Sequence, residues 1–427
     1  MDRLRQAKPQ DIDTLLDLAH TGNFINLPPF KDRIAEMLSV SVRSFEAVQT
    51  ADGPPENHDR THDNYILVLE TDQGECLGTS AIRGGMIAHD HPNLSYQLLK
   101  LVRESTLLSK KIHEPDQPDN DDDRMIVSGR MEHVYAILFQ DMACPTELGG
   151  NVMRHNARGR GLGKLLSYGR FHYLKQHTQW FSDRILAEMM APIDEYNDGT
   201  PFWRGVIRKF INMSYEDADR LSTHQDKREF MYELLPKFVN LSLLNDDVLT
   251  SLGSVGSATL PAAEMLKDLG FMTTHRIDPF DAGPHLEMCL SNMKALACAP
   301  MQAQIGDPGR DAIDAMVSTE DSPDGFVAVR TRVEHPFTTD TSNAPVVLSH
   351  DAANALRIAN GAQVMVSPLK FQPDRPKPTP IPVIHLRDEI RRRRPDVAGQ
   401  KLAALPFNEI AQIIQDRVDQ IADALKE

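Results

Sequence analysis

A chain of 427 residues, 41% hydrophobic and 25% charged, has the composition of a soluble globular protein of about two or three domains, large enough to bury a core without staples. Its net charge of −15 excludes the broad basic face that a nucleic-acid partner requires. The scattered Cys76, Cys144, Cys289 and Cys298 exclude a Cys-x-x-Cys zinc or disulfide framework, and no apolar run is long enough to span a bilayer, so a cytoplasmic address without membrane contact is expected. Residues 9–20 and 28–45 predict two amphipathic helices, with Ile12, Leu15, Leu16 and Ala19 on one apolar face and Ile34, Met37, Leu38 and Val42 on the other. Residues 52–64 are polar and predict a loop. Tyr65–Leu69 and Cys76–Ile82, joined through Asp72-Gln73-Gly74, predict a hairpin. Residues 95–112 read as helical or mixed, 115–124 as an acidic, proline-bearing loop, and 134–139 and 147–153 as strands.

The next stretch carries the chemistry. Arg158-Gly159-Arg160-Gly161-Leu162-Gly163-Lys164 joins the strand to a helical pattern through Leu162, Leu165, Leu166, Gly169, Tyr173 and Leu174. Glycines let a backbone approach a ligand and adopt positive φ. The first turn of a helix offers unpaired N–H groups and a partial positive charge, which suits a pyrophosphate. Arg158, Arg160 and Lys164 add fixed charge. A P-loop is excluded by the glycine spacing and by Leu165 after the lysine. A dinucleotide fingerprint is excluded because the third glycine comes one residue early. A glycine-rich turn without ligand remains the plainer reading.

Beyond this helix, residues 184–190 predict a strand, and Thr200-Pro201 a capped helix start with Phe202, Val206, Ile207 and Phe210 as its buried stripe. Residues 224–235 predict a helix stopped by Pro236, 261–269 a helix ended by Gly270, and 271–277 a strand. Residues 346–369 hold a small β unit around Gly361–Val366, and 371–382 are proline-rich and extended. Arg391–Arg394 is a basic cluster, and residues 402–425 predict an amphipathic helical tail. The alternation of strands and helices gives an α/β class, with ligands expected at the C-terminal ends of strands.

Two sets of residues carry a family resemblance. The spacing Arg158-x-x-Gly161-x-Gly163 resembles the acyl-CoA loop of the GNAT superfamily of N-acyltransferases. Ala187-Glu188-Met189, Ile193-Asp194-Glu195 and Pro201-Phe202-Trp203 then follow in an order that resembles the arginine N-succinyltransferase family, a GNAT-related group. Leu27-Pro28, residues 65–70, Ser167-x-x-Arg170-Phe171, Ala218-Asp219, Glu233-Leu234-x-Pro236-Lys237, Gly270-Phe271 and Phe280-Asp281-x-Gly283-Pro284-x-x-Glu287 extend it over about residues 3 to 369. The resemblance implies a GNAT-like mixed twisted sheet flanked by helices (α/β, or α+β). It divides the chain into an acyltransferase domain at 1–222, a second smaller domain at 223–369 and a tail at 370–427. It also implies transfer of succinyl from succinyl-CoA, or another acyl-CoA, to the α-amine of arginine without a metal, and assembly as a homodimer or with a related subunit. Three departures stand out. Gly256 occupies the place of a proton-handling histidine, Phe238-Val239-Asn240-Leu241 replaces Pro-Ile-Tyr, and Met190-Ala191 replaces Arg-Gly. They keep open a different amine acceptor, or a non-catalytic acyl-CoA-binding subunit.

On this resemblance the coenzyme falls to Arg158, Gly159, Arg160, Gly161, Gly163 and Lys164, with Asn151 and Val152 on the strand before them. Amides of residues 148–153 are candidate oxyanion donors, and Gly149-Gly150 marks either a bulge that frees them or a plain strand end. Glu188 in an apolar strand is a base acting through water, an ammonium anchor, or an ion-paired strand residue. Asp194 and Glu195 either bind a cationic acceptor or cap the helix at Pro201. Asp281 and Glu287, in a glycine-bearing turn, are weaker candidates. Trp203 reads as core, His155 as a surface residue or phosphate contact, and His172 as structural. Ser167 and Arg170 read as helix–sheet packing or phosphate contact, and His89-Asp90-His91 as a solvated turn.

Overall fold

The computed structural model describes residues 1–20, 27–86, 92–110, 124–194, 198–222, 229–334 and 345–385, with Asp388, Glu389, Arg392, Gln412 and Asp416 beyond. Most of the predicted tail helix and of the basic cluster, the acidic loop up to Asp123, the His89–His91 turn and Glu195 lie outside these residues.

The chain opens with β1 (Arg3–Gln6), α1 (Ile12–Ala19) and α2 (Lys31–Thr50). A hairpin follows, β2 (Asn64–Glu70) and β3 (Cys76–Arg83). The run Tyr65–Leu69 is continuously apolar because both faces of β2 are covered. Tyr65, Leu67 and Leu69 join a core with α3 (Leu162–Gln176), while Ile66 and Val68 pack with Leu15, Leu18, Ile34 and Leu38 of α1 and α2. Residues 95–110, within the stretch read as helical or mixed, are not helical. They belong to β4 (Asn93–Lys110), paired antiparallel along its whole length with β5 (Arg124–Asp141).

Next come β6 (Thr146–Met153), the glycine loop, α3 and β7 (Arg184–Glu188). Then α4 (Pro201–Gly205), α5 (Tyr215–Ser222), α6 (Glu229–Leu234), β8 (Phe238–Asn240), α7 (Asp246–Ser251) and α8 (Leu260–Asp268) lead to β9 (Met272–Ile277) and β10 (Pro284–Cys289). Trp203 is fully buried between Tyr215 and Phe280, in the core that α4, α5 and α7 form with β4 and β5. Five strands, β11 (Ala299–Ile305), β12 (Ile313–Ser322), β13 (Gly325–Glu334), β14 (Val346–Leu348) and β15 (Gln363–Pro368), close on one another, with α9 (His350–Leu356) packed against them. A last strand, β16 (Val383–His385), lies beside β4.

The strand order β13-β1-β2-β3-β6-β7-β10-β9-β4-β5-β8 forms the main sheet, and strands on both sides of residue 222 share it. Among the described neighbours only β6–β7, β11–β14 and β16–β4 are parallel. The expected mixed sheet is therefore present, but its antiparallel majority makes it α+β in character. Helix α3 lies against this sheet at β1, β3 and β6 and also meets β12 and β13. Leu165–Leu174 is buried throughout, as expected of a helix covered on all sides.

Candidate active site

Two parallel strands that part from each other create an opening. β6 and β7 pair only at Thr146–Ile185 and Glu147–Leu186. Beyond these rows β6 stays bonded to β3 and β7 to β10. The register of β6 against β3 slips between Thr79 and Ala81, where Val152 and Gly149 are their partners. Gly150 and Asn151 thus oppose Ser80 alone, a β-bulge with Gly150 at φ +58. The glycine pair marks a bulge, not a plain strand end. Behind it, the buried Arg170 of α3 donates to the carbonyls of Ser167 (3.2 Å) and Gly149 (3.5 Å). Ser167 and Arg170 therefore serve helix–strand packing, because neither reaches solvent.

The glycine loop stands at the C-terminal end of β6. Arg158, Gly159, Arg160 and Gly161 are exposed, Gly163 and Lys164 half-buried. Gly159 and Gly161 both hold φ +76, and Gly161 immediately precedes the first turn of α3. The amides of that turn lack intrahelical acceptors and carry the positive end of a 15-residue helix. Arg160 pairs with Asp2 at 2.9 Å; among the described residues Arg158 and Lys164 pair with no carboxylate. Asn151 is exposed, whereas the side chain of Val152 is buried with α1 and α2, so only its main chain is left for a ligand.

Arg330 of β13 braces the loop from the side. It donates to the Gly161 carbonyl at 3.0 Å, and Asp314 holds its fork at 2.7–3.2 Å. A Cβ on Gly161 would lie 2.5 Å from Arg330 Nη1. Gly161→Ala should therefore cost about 1–2 kcal/mol of stability through its left-handed φ alone. Chemical unfolding checks this; a variant as stable as wild type contradicts the geometry.

At the C-terminal end of β7 stands Glu188, with a side chain 26% exposed. Asn93 Nδ2 donates to its Oε1 at 2.9 Å, and His285 Nε2 lies 3.5 Å from the same oxygen. His285 faces Glu188 in register from β10 and is almost fully buried. Burial lowers its pKa to about 4, so the ring is neutral near pH 7. Further carboxyls crowd behind. Burial, then the charge of Glu188, pushes Asp278 up; burial, then Asp278, pushes Asp281 well up and Asp219 to about 8. Asp281 accepts from the amides of Gly283 and Ala191 and so ties the chain after β7 to the turn before β10.

The other candidates separate cleanly. Asp194 makes a backbone bridge to Gly199, and α4 is capped by Thr200, whose Oγ1 accepts from the Trp203 amide. Asp194 is therefore not the cap. Glu287 lies in β10, not in a turn, and is ion-paired with Arg184 and Arg276. His155 is exposed, and the buried His172 bonds Ser318 at 2.8 Å. The Gly256 amide donates to Met190 O at 2.8 Å, so position 256 adjoins the end of β7. Asn93, His285 and Arg330 were not anticipated. For Arg330 a signal existed: the Asp324-Gly325 turn between alternating apolar residues announces the β12–β13 hairpin. For His285 none did, because the β10–β7 register is set in three dimensions.

Arginine N-succinyltransferase subunit beta of Pseudomonas aeruginosa is 29% identical over 380 residues, covering 86% of this chain and 98% of that protein. An arginine N-succinyltransferase of Escherichia coli is 26% identical over 366 residues, covering 84% and 96%. Among solved structures, arginine/ornithine succinyltransferase subunit AI of Pseudomonas aeruginosa shares the fold, with a TM-score of 0.66 at 23% identity over 87% of this chain and 99% of that one. The sequence pattern of the family described as arginine N-succinyltransferase beta subunit matches residues 3–115 and 126–295, well over half of the chain. The chain belongs to the arginine N-succinyltransferase family and is an acyltransferase.

Proposed function

We propose that this chain transfers the succinyl group of succinyl-CoA to the α-amine of arginine. The observation that carries the proposal is the opposite charge of the two lips of one opening: a cationic, amide-rich loop after β6 and a carboxylate at the end of β7. The loop suits the CoA diphosphate, through the first-turn amides of α3 and Arg158, Arg160 and Lys164. The gap between β6 and β7 suits the pantetheine arm. Main-chain N–H groups around the bulge, at residues 148–153, suit stabilisation of the thioester oxygen as it becomes an oxyanion.

The acceptor approaches from the Glu188 side. Its ammonium gives a proton to Glu188, directly or through one water. The amine nitrogen then attacks the thioester carbon, the C–S bond breaks, and the CoA thiolate leaves and takes up a proton. Asn93 fixes the Glu188 carboxylate by a hydrogen bond, and the neutral His285 ring lies against the same oxygen without bonding it. Asp194, six residues on from Glu188 along the chain, is a second anionic contact for a cationic acceptor. The Glu188 carboxylate favours a cationic acceptor such as arginine over a neutral amine. A GNAT-like arrangement, a cytoplasmic setting and a dimer with itself or a related subunit belong to the same reading; among the described residues no helix is long and apolar enough to cross a membrane.

Release of free thiol from succinyl-CoA, measured over a panel of amines, tests this. Arginine should be the best acceptor. A second reading, a chain that binds acyl-CoA without turnover beside an active subunit, draws on glycine at position 256. CoA binding without thiol release from any amine selects it. Arg158→Ala should weaken CoA binding about tenfold, the loss of one charge-assisted contact. Unchanged affinity in a direct titration refutes the loop assignment.

A further inference from the structure

We infer that the five-stranded β unit holds the 3′-phosphoadenosine end of CoA, with Arg332 as the phosphate ligand. This rests on the reading that the glycine loop takes the diphosphate. A cavity of about 600 Å³ opens beside that loop, lined by Arg160, Leu162 and Leu165 on one side and by Pro308, Arg330 and Arg332 on the other. The volume is that of an ordinary small-molecule site. A ligand whose diphosphate rests on the first turn of α3 has this space next to it.

The lining suits such a ligand. Pro308 and the edge of Leu162 offer apolar contact to a flat base, and guanidinium groups suit phosphate oxygens. Cations collect here although the whole chain carries a net charge of −15. Two carboxylates also line the cavity, and both are engaged: Asp2 with Arg160 at 2.9 Å, Asp314 with Arg330 at 2.7 Å. Arg332 differs. Among the described residues it pairs with no carboxylate. Its Nε and Nη2 donate to the Ala312 carbonyl (3.2 and 2.7 Å), and Nη2 also to that of Arg310 (3.1 Å). These bonds fix the guanidinium plane without neutralising it. Along β13, Val327, Val329 and Val333 are buried, while Arg330 and Arg332 line the cavity. An orientated, uncompensated guanidinium on a cavity wall is pre-organised for a phosphate dianion. CoA carries one on its ribose; 3′-dephospho-CoA does not.

Calorimetric titration of the purified full chain with CoA and with 3′-dephospho-CoA tests this. Wild type should bind CoA about tenfold more tightly. Arg332→Gln should lose most of that preference, weakening CoA about tenfold and dephospho-CoA less than about twofold, and Arg332→Lys should restore part of it. The ratio of the two affinities does not depend on the folded fraction, so a less stable variant still reports. Equal binding of both ligands by wild type, or a variant that weakens both alike, overturns the inference and leaves the loop assignment standing. Failure of wild type to bind either ligand overturns both.

Discussion

Glu188→Gln should lower kcat about 100-fold while leaving CoA affinity within about twofold. The substitution keeps the shape and the contact with Asn93 but removes the negative oxygen that faces both Asn93 and His285. Proton removal must precede attack, because an ammonium has no lone pair. The split between kcat and KM identifies the role of the carboxylate. A base gives a fall in kcat at constant KM; an anchor for the ammonium gives a rise in KM for the amine with kcat preserved. His285 cannot replace Glu188 as a charged partner, since burial keeps its pKa near 4 and its ring uncharged at neutral pH. A Glu188→Gln protein that turns over at the wild-type rate and KM contradicts the site.

Asp141→Asn should destabilise the fold by about 3–5 kcal/mol, the usual cost of breaking a buried ion network on one side. Asp141 ends β5 and accepts from Arg184 (2.6 and 3.1 Å) and Arg276 (2.9 Å). Glu287 of β10 accepts from the same two arginines at 2.6–3.2 Å. Two anions balance two cations, all with little solvent access, and the four residues tie β5, β7, β9 and β10 together at the start of the strand that ends in Glu188. Arg276 also lies over the Phe139 ring, 4.2 Å from its centre. With Asp141 neutralised, two buried guanidinium groups share one carboxylate. Urea unfolding measures the loss, and a change below about 1 kcal/mol contradicts it.

The same network sets a pH dependence. Burial pushes Asp141 up, but the hydrogen bonds and charge of Arg184 hold it below the usual carboxylate range. Its folded pKa lies below its unfolded value of about 3.9, so its contribution is complete above that value and is lost as pH falls through the folded one. Wild type should lose stability with falling pH below about pH 4 more steeply than Asp141→Asn does.

What could be read from the sequence follows physical range. The unit β6–loop–α3 was legible because its signals are local: glycines at positive φ, cations beside them, and an apolar repeat of three and four. The β2–β3 hairpin, the Thr200 cap and the start of α8 were legible for similar reasons. β4 was not. Leu94, Leu98, Leu101 and Val102 recur at helical spacing, and leucine, lysine and glutamate favour helix. Pairing with β5 along all of Asn93–Lys110 overrides that preference. Of the candidate site, Glu188 and the loop could be picked out from sequence, but the neighbours of Glu188 could not. Asn93 and His285 lie 95 and 97 residues away along the chain, and only the order β7-β10-β9-β4 brings them to one carboxylate.

The most direct test is the product itself. The chain, purified together with any subunit that accompanies it, is incubated with succinyl-CoA and arginine, and N-succinylarginine and free CoA are quantified by mass spectrometry. One mole of each should form per mole of succinyl-CoA consumed, and the rate of adduct formation should fall about 100-fold with Glu188→Gln. Free CoA without the adduct, or an adduct that survives loss of the Glu188 charge undiminished, would contradict transfer between the two lips of the β6–β7 opening.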